Sequence, residues 1–122
     1  VPAALQKVIT ADNVSKVRAQ LVLELANVPL DPAAQAALAV RGIPALADFL
    51  ANSGGVFASF LERQQNLDGK KLSAQEVRQK IEYFMERNFD ATHAKMMESG
   101  AATLRTAGGL RAVDRWYDNI LR

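Results

Sequence analysis

From Asp12 to Ala26 the apolar residues fall at Val14, Val17, Leu21, Val22 and Leu25, a spacing of three and four that lines one side of a helix and leaves Lys16, Arg18, Gln20 and Glu24 for the other. Thr10 or Asp12 supplies a capping oxygen, and Pro29 forbids continuation past Asn27. A short helix over residues 3–9 is expected to precede it. Asp31 followed by Pro32 starts the next helix, since Asp accepts the first amide hydrogens and Pro loses nothing at the first helical position; Gly42 is its left-handed stop after Arg41. Pro44 repeats the start signal for a short segment with Leu46, Phe49 and Leu50 inward, interrupted at Asn52 to Gly55. Val56, Phe57, Phe60, Leu61 and Gln64 continue the helical period to Leu67, and Asn66-Leu67-Asp68-Gly69 reads as a turn leading into Lys70-Lys71.

Ser73-Ala74-Gln75-Glu76 fits a capping box, in which the Ser hydroxyl and the Glu carboxylate each satisfy an amide hydrogen. The helix behind it, to about Arg87, places Val77, Ile81, Phe84 and Met85 on one side. Asp90 can cap a further helix with Ala94, Met97, Ala101 and Leu104 inward. Gly108-Gly109 costs about 2 kcal/mol of helix propensity against two alanines, so it ends that helix or marks a close backbone contact. A last segment carries Leu110, Val113, Trp116 or Tyr117, Ile120 and Leu121 on one side.

The pattern shows no six-residue alternating run and no hairpin turn between alternating strands. Alanine, the best helix former, is the commonest residue. The sequence therefore predicts an all-α fold, a compact bundle of five to seven helices, several short, as one helical domain over 1–122. The start at Val1 without Met reads as a fragment or processed part of a longer chain. Ser53-Gly54-Gly55 is the best candidate for a joint, with an ordinary tight turn as the plainer reading.

Composition narrows the function. Hydrophobic residues make up 49% of 122, enough for one core. A net charge of +2 is too small for the phosphate neutralisation of a dedicated nucleic-acid binder. No apolar stretch is long enough for a transmembrane segment. The absence of Cys removes disulfides, thiolate metal sites and cysteine nucleophiles, and leaves the compartment open. A signal removed before Val1 would leave no trace.

Candidate chemistry is sparse. The single His93, spaced three residues from Asp90, is at most half of a carboxylate-histidine metal pair, and no Gly-x-Ser-x-Gly elbow accompanies it for nucleophilic catalysis. Glu82 and Glu86 stand among Arg78, Lys80 and Arg87 and read as a solvated face. Gly108-Gly109 lacks a following Lys, and Ser53-Gly54-Gly55 follows a helical pattern where a nucleotide fold needs a strand. Catalytic, cofactor-binding and metal residues are thus expected to be none. Arg105, between Gly100 and Gly109, is where an arginine finger would sit, but no second diagnostic motif accompanies it and it reads as a surface or interface arginine.

What remains is apolar surface. Adjacent pairs such as Phe57 with Phe60 and Trp116 with Tyr117 exceed what one helix face can turn inward, and aromatic and Arg side chains are enriched at interfaces. The sequence alone thus points to a non-enzymatic, soluble module that binds another protein through Phe57 and Phe60 or through Arg111, Arg115, Trp116 and Tyr117. One alternative is a membrane-surface bundle whose Lys70-Lys71 tip meets anionic lipid. A further one is a regulator of an enzyme or GTPase using an exposed Arg.

Overall fold

The computed structural model describes residues 5–121. The chain divides into two compact units, Val1–Met85 and Glu86–Arg122.

The first unit is built on parallel strand pairing, which overturns the all-α expectation. Strand β1, Val22–Leu23, pairs in parallel with β2, Ala45–Leu46, in the register Val22 to Ala45 and Leu23 to Leu46. The ladder is carried by Val22 N–H to Pro44 O at 3.0 Å and Glu24 N–H to Leu46 O at 3.1 Å. Helix α1, Pro32–Val40, is the crossover that a parallel pair requires. A further parallel bridge joins Ile9 to Leu30. It replaces the helix expected over 3–9, whose first two residues lie outside the described ones.

The expected helix over 12–26 is present only as one 3-10 turn, Val14–Lys16. Over Leu21 to Ala26 burial alternates instead: Val22, Glu24 and Ala26 are buried while Leu21, Leu23 and Leu25 are exposed. Five apolar residues in six read equally as a helix face or as a parallel strand, whose sequence is near-continuously hydrophobic. The partner strand decided the outcome, since β2 supplies hydrogen bonds that no local pattern reveals.

Helix α1 forms as its ends dictate. The Asp31 carboxylate accepts the Ala34 N–H at 2.6 Å, Pro32 occupies the first turn, and Gly42 at φ 70° closes the other end, with Gly42 N–H to Ala39 O at 3.0 Å and Ile43 N–H to Leu38 O at 2.9 Å. Its inner side, Ala34 and Leu38, packs with Val14, Val22 and Leu30 into the core, flanked by Ile9, Val17, Ala37, Ile43 and Ala45. Burying a side chain such as Leu38 contributes about 2 kcal/mol.

After β2 the chain forms helix α2, Asp48–Ala51, and at once helix α3, Ser53–Asp68. Ser53-Gly54-Gly55 is therefore the first turn of α3, neither a joint nor a free turn. Gly69 at φ 66° ends α3. Helix α4 runs from Ala74 to Ser99 and begins on the expected box: Glu76 Oε2 accepts the Ser73 N–H at 2.7 Å, and Ser73 Oγ accepts the Glu76 N–H at 3.2 Å. No Gly or Pro stands between Arg87 and Asp90, so α4 continues where two helices were expected, and the division between the units falls within it.

In the second unit Thr103 caps helix α5, Leu104–Ile120, by accepting the Thr106 N–H at 3.1 Å. Gly108-Gly109 lies inside α5. The two glycines weaken the helix without breaking it, because the backbone hydrogen bonds of the surrounding turns persist.

Candidate functional site

Two loops leave the carboxyl ends of the parallel strands, and the site forms where they meet. Loop Leu25-Ala26-Asn27 follows β1; Ala47 and α2 follow β2. The Asn52 Nδ2 donates to Asn27 Oδ1 at 2.8 Å. Beneath this pair Asp48 is buried, its Oδ2 accepting the Val28 N–H at 2.7 Å and its Oδ1 the Phe49 N–H at 2.9 Å. Because Asn52 also donates its backbone N–H to Asp48 O at 2.8 Å, both halves of the amide pair are tied to one carboxylate residue.

The pair opens onto a cavity of about 510 Å³ lined by Asn27, Asp48, Asn52 and Ser53 on its polar side and by Phe49, Val56, Phe57, Phe60 and Phe84 on the other. The apolar wall is a run of rings. Phe57 and Phe84 stack at 4.1 Å between centroids with 2° between planes, and Phe57 and Phe60 at 5.9 Å and 20°. A second concavity, with Leu25, Ala26, Gly55, Val56 and Ser59, shares Asn27 and Asn52. The volume lies within the range of small-molecule sites, which combine apolar walls with a few fixed polar groups.

The sequence reading located part of this wall and none of the polar groups. Phe57 and Phe60 line the cavity, Phe57 half-buried and Phe60 exposed. Arg111, Arg115, Trp116 and Tyr117 belong to the second unit, on α5. There Arg111 is half-buried and donates to Asn88 Oδ1 at 3.2 Å and Thr92 Oγ1 at 3.4 Å, its pKa lowered by burial and then by Arg115 and Arg87. Arg115, Trp116 and Tyr117 are exposed, and Arg122 lies outside the described residues. Lys70 and Lys71 are exposed at the α3–α4 turn, Lys71 beside a concavity of about 360 Å³ with Glu62, Gln65, Asn66, Gly69 and Leu72. His93 stacks on Phe89 at 6.0 Å, and Arg105 is half-buried in the first turn of α5. Among the described residues no three carboxylate or imidazole groups converge as metal ligands would, and no helix is long and apolar enough to cross a membrane.

Asn27, Asp48 and Asn52 were legible only as punctuation. Asn27-Val28-Pro29 and Asn52-Ser53-Gly54-Gly55 each follow an apolar run, which is where loops at strand ends fall, but without the strands nothing linked them.

Parallel strands joined by a crossover helix, with a polar crevice beyond their carboxyl ends, define the α/β ligand-binding class, in which that edge is where ligands sit. Comparison with known proteins narrows the class. Residues 1–120 match the Glutamate/Leucine/Phenylalanine/Valine dehydrogenase family, and the chain belongs to it. It is 39% identical over 118 residues to the NADP(+)-dependent glutamate dehydrogenase of Pyrobaculum calidifontis and 38% identical over 118 residues to the NADP-specific glutamate dehydrogenase A1 of Halobacterium salinarum. In each case the match covers 97% of this chain and 28% of the relative. The chain thus spans a little over a quarter of the length of these relatives. Among solved structures it resembles glutamate dehydrogenase from Peptoniphilus asaccharolyticus, with a TM-score of 0.85 at 38% identity, covering 93% of this chain and 29% of that one. The hetero-hexameric glutamate dehydrogenase from Thermus thermophilus, in its Leu-bound form, gives 0.88 at 34% identity, covering 93% of this chain and 27% of that one.

Membership of a dehydrogenase family overturns the reading as a non-enzymatic protein-binding module, together with its membrane-surface and regulator alternatives. The surplus of exposed apolar side chains behind that reading is present: Trp116 is 65% exposed and Phe60 50%. That surplus does not by itself mark a docking module, because exposed apolar side chains also line ligand grooves and other contacts.

Proposed function

We propose that this chain is the part of an NADP-dependent glutamate dehydrogenase whose strand-end loops hold the carboxamide end of the dinucleotide beside the amino-acid substrate. The observation that carries this is the Asn27–Asn52 pair. Their mutual hydrogen bond uses Asn52 Nδ2 and Asn27 Oδ1, so the Asn27 Nδ2 and the Asn52 Oδ1 stand outside that bond, on two residues that line the cavity. Donors beside an acceptor complement a primary carboxamide, which presents one oxygen and one NH2.

The residues fit that end of a dinucleotide and not its phosphates. The stacked Phe57 and Phe84 give a flat apolar wall suited to a planar ring, whereas the sequence contains no Gly-x-Gly-x-x-Gly turn to cradle a pyrophosphate. When bound, the nicotinamide supplies the two-electron acceptor for oxidation of the amino acid. The chain's own contribution is to orient that ring through the amide pair and to exclude water from one side of it with the phenylalanines. Similarity to NADP-dependent and NADP-specific relatives supports the choice of nucleotide and substrate.

The test is made in the full-length protein. Asn27→Ala and Asn52→Ala each remove a hydrogen bond to the ligand, so NADPH binding, read by its fluorescence, is expected to weaken up to about tenfold with an unchanged melting temperature. Wild-type affinity in both folded variants overturns the reading.

A further inference from the structure

The loop that presents Asn27 adopts a conformation its residues do not favour. Val28 has φ 47°, in the left-handed region. A β-branched residue there is a steric outlier, since its Cβ crowds the neighbouring backbone. Val28 is 41% exposed, so it is not locked into the core. Pro29, which follows, disfavours the right-handed helical region for Val28 but not the extended one, so an ordinary alternative existed.

The backbone groups on either side of Val28 are the ones that are fixed. Its N–H donates to Asp48 Oδ2 at 2.7 Å, and its carbonyl accepts the Lys7 N–H at 2.8 Å. Asp48 is only 7% exposed, so the bond from Val28 N–H to its side-chain oxygen meets little competing water. The other carboxylate oxygen is held by Phe49 N–H at 2.9 Å, which fixes the side chain at the start of α2.

Resting on the site reading above, we propose that Asp48 is a positioning residue for the nucleotide site: its carboxylate holds Val28 in the left-handed conformation and so sets the Asn27 amide against Asn52. Asp48 touches no ligand in this scheme. It acts through the backbone of one strained residue, and it ties the loop after β1 to the helix after β2, the two sources of the amide pair.

The test uses the full-length protein and three variants: Asp48→Asn, Val28→Gly and the double variant. Hydrogen exchange of the peptide covering 24–31, measured without nucleotide, reports directly on whether Val28 is held. Asp48→Asn is expected to speed exchange there and to raise the NADPH Kd about tenfold. Glycine adopts positive φ without steric cost, so Val28→Gly added to Asp48→Asn is expected to restore the Kd to within about twofold of wild type while the lost melting temperature does not fully return. A merely structural carboxylate would not be rescued in this way. Unchanged exchange in Asp48→Asn overturns the proposal, as does failure of Val28→Gly to restore binding. So does an unaltered Kd in Asp48→Asn when Asn27→Ala weakens binding. If Asn27→Ala and Asn52→Ala both leave the Kd unchanged, the site reading falls, and this proposal falls with it even where exchange has risen.

Discussion

Lys95 Nζ lies 2.7 Å from Asp114 Oδ2, joining α4 to α5 within the second unit, with Glu98 Oε2 a further 3.5 Å contact on the same ammonium. The hydrogen bond to Asp114 raises the Lys95 pKa above its ordinary value, more than partial desolvation lowers it. A raised folded-state pKa means that the contribution to stability is fully present below the ordinary lysine value and is lost as pH climbs through the folded one. Asp114→Asn is therefore expected to lower the melting temperature slightly at pH 7 and to approach wild type only as pH climbs through the raised lysine value, where the ammonium is lost. Because the pair meets solvent, about 1 M salt should erase most of the difference. A salt-independent difference would show that Asp114 acts through packing instead.

The box at the start of α4 titrates in the opposite sense. Hydrogen bonds from Ser73, backbone first and then side chain, lower the Glu76 pKa. Its contribution is present above the ordinary carboxylate range and is lost as pH falls through the folded value. Ser73→Ala is expected to cost about 1 kcal/mol at neutral pH by urea unfolding, and less in acid, once pH has fallen through the lowered Glu76 value. A cost that stays constant between these pH values would exclude the carboxylate from the cap.

The two glycines at the start of α3 should part company under substitution. A Cβ on Gly54 would lie 3.3 Å from Ile81 Cγ2 and 3.4 Å from Met85 Sδ, whereas one on Gly55 meets nothing within 4 Å. Gly54→Leu is expected to destabilise by about 1–3 kcal/mol through overpacking. Gly55→Ala should stabilise by up to about 1 kcal/mol, because alanine loses less backbone freedom in a helix. Equal responses in thermal unfolding would contradict the close approach at Gly54.

Leu38 is the largest fully buried side chain, and Leu38→Ala leaves a cavity between α1 and the strands. The expected loss is about 2–5 kcal/mol by denaturant unfolding. Leu23→Ala, on the exposed side of β1, should lose far less. Similar losses at both positions would mean that β1 faces the core the other way round.

How far the sequence was legible depends on whether its signals were local. Asp31-Pro32 with Gly42 delimits α1, and Ser73 with Glu76 starts α4, because each cap is satisfied within three or four residues. Strands are not local. Val22 and Ala45 pair across 23 positions, so the run Leu21 to Ala26 looked like a helix until its partner was known. The site inherits the same distance. Phe57 and Phe60 stood out as apolar surplus, whereas Asn27, Asp48 and Asn52 carry no motif, and the bonds that assemble them cross 20 and 25 positions. His93 and Arg105, weighed for their conspicuous chemistry and set aside, belong to the other unit.

The register of β1 on β2 has a consequence for how binding can be read in the laboratory. Sliding one strand by a single residue would turn its side chains to the opposite face and carry Asn27 out of reach of Asn52. If the amide pair holds the nucleotide as proposed, a slipped register loses that capture even where every helix has formed, so helical content by circular dichroism alone does not certify the alignment of the strands.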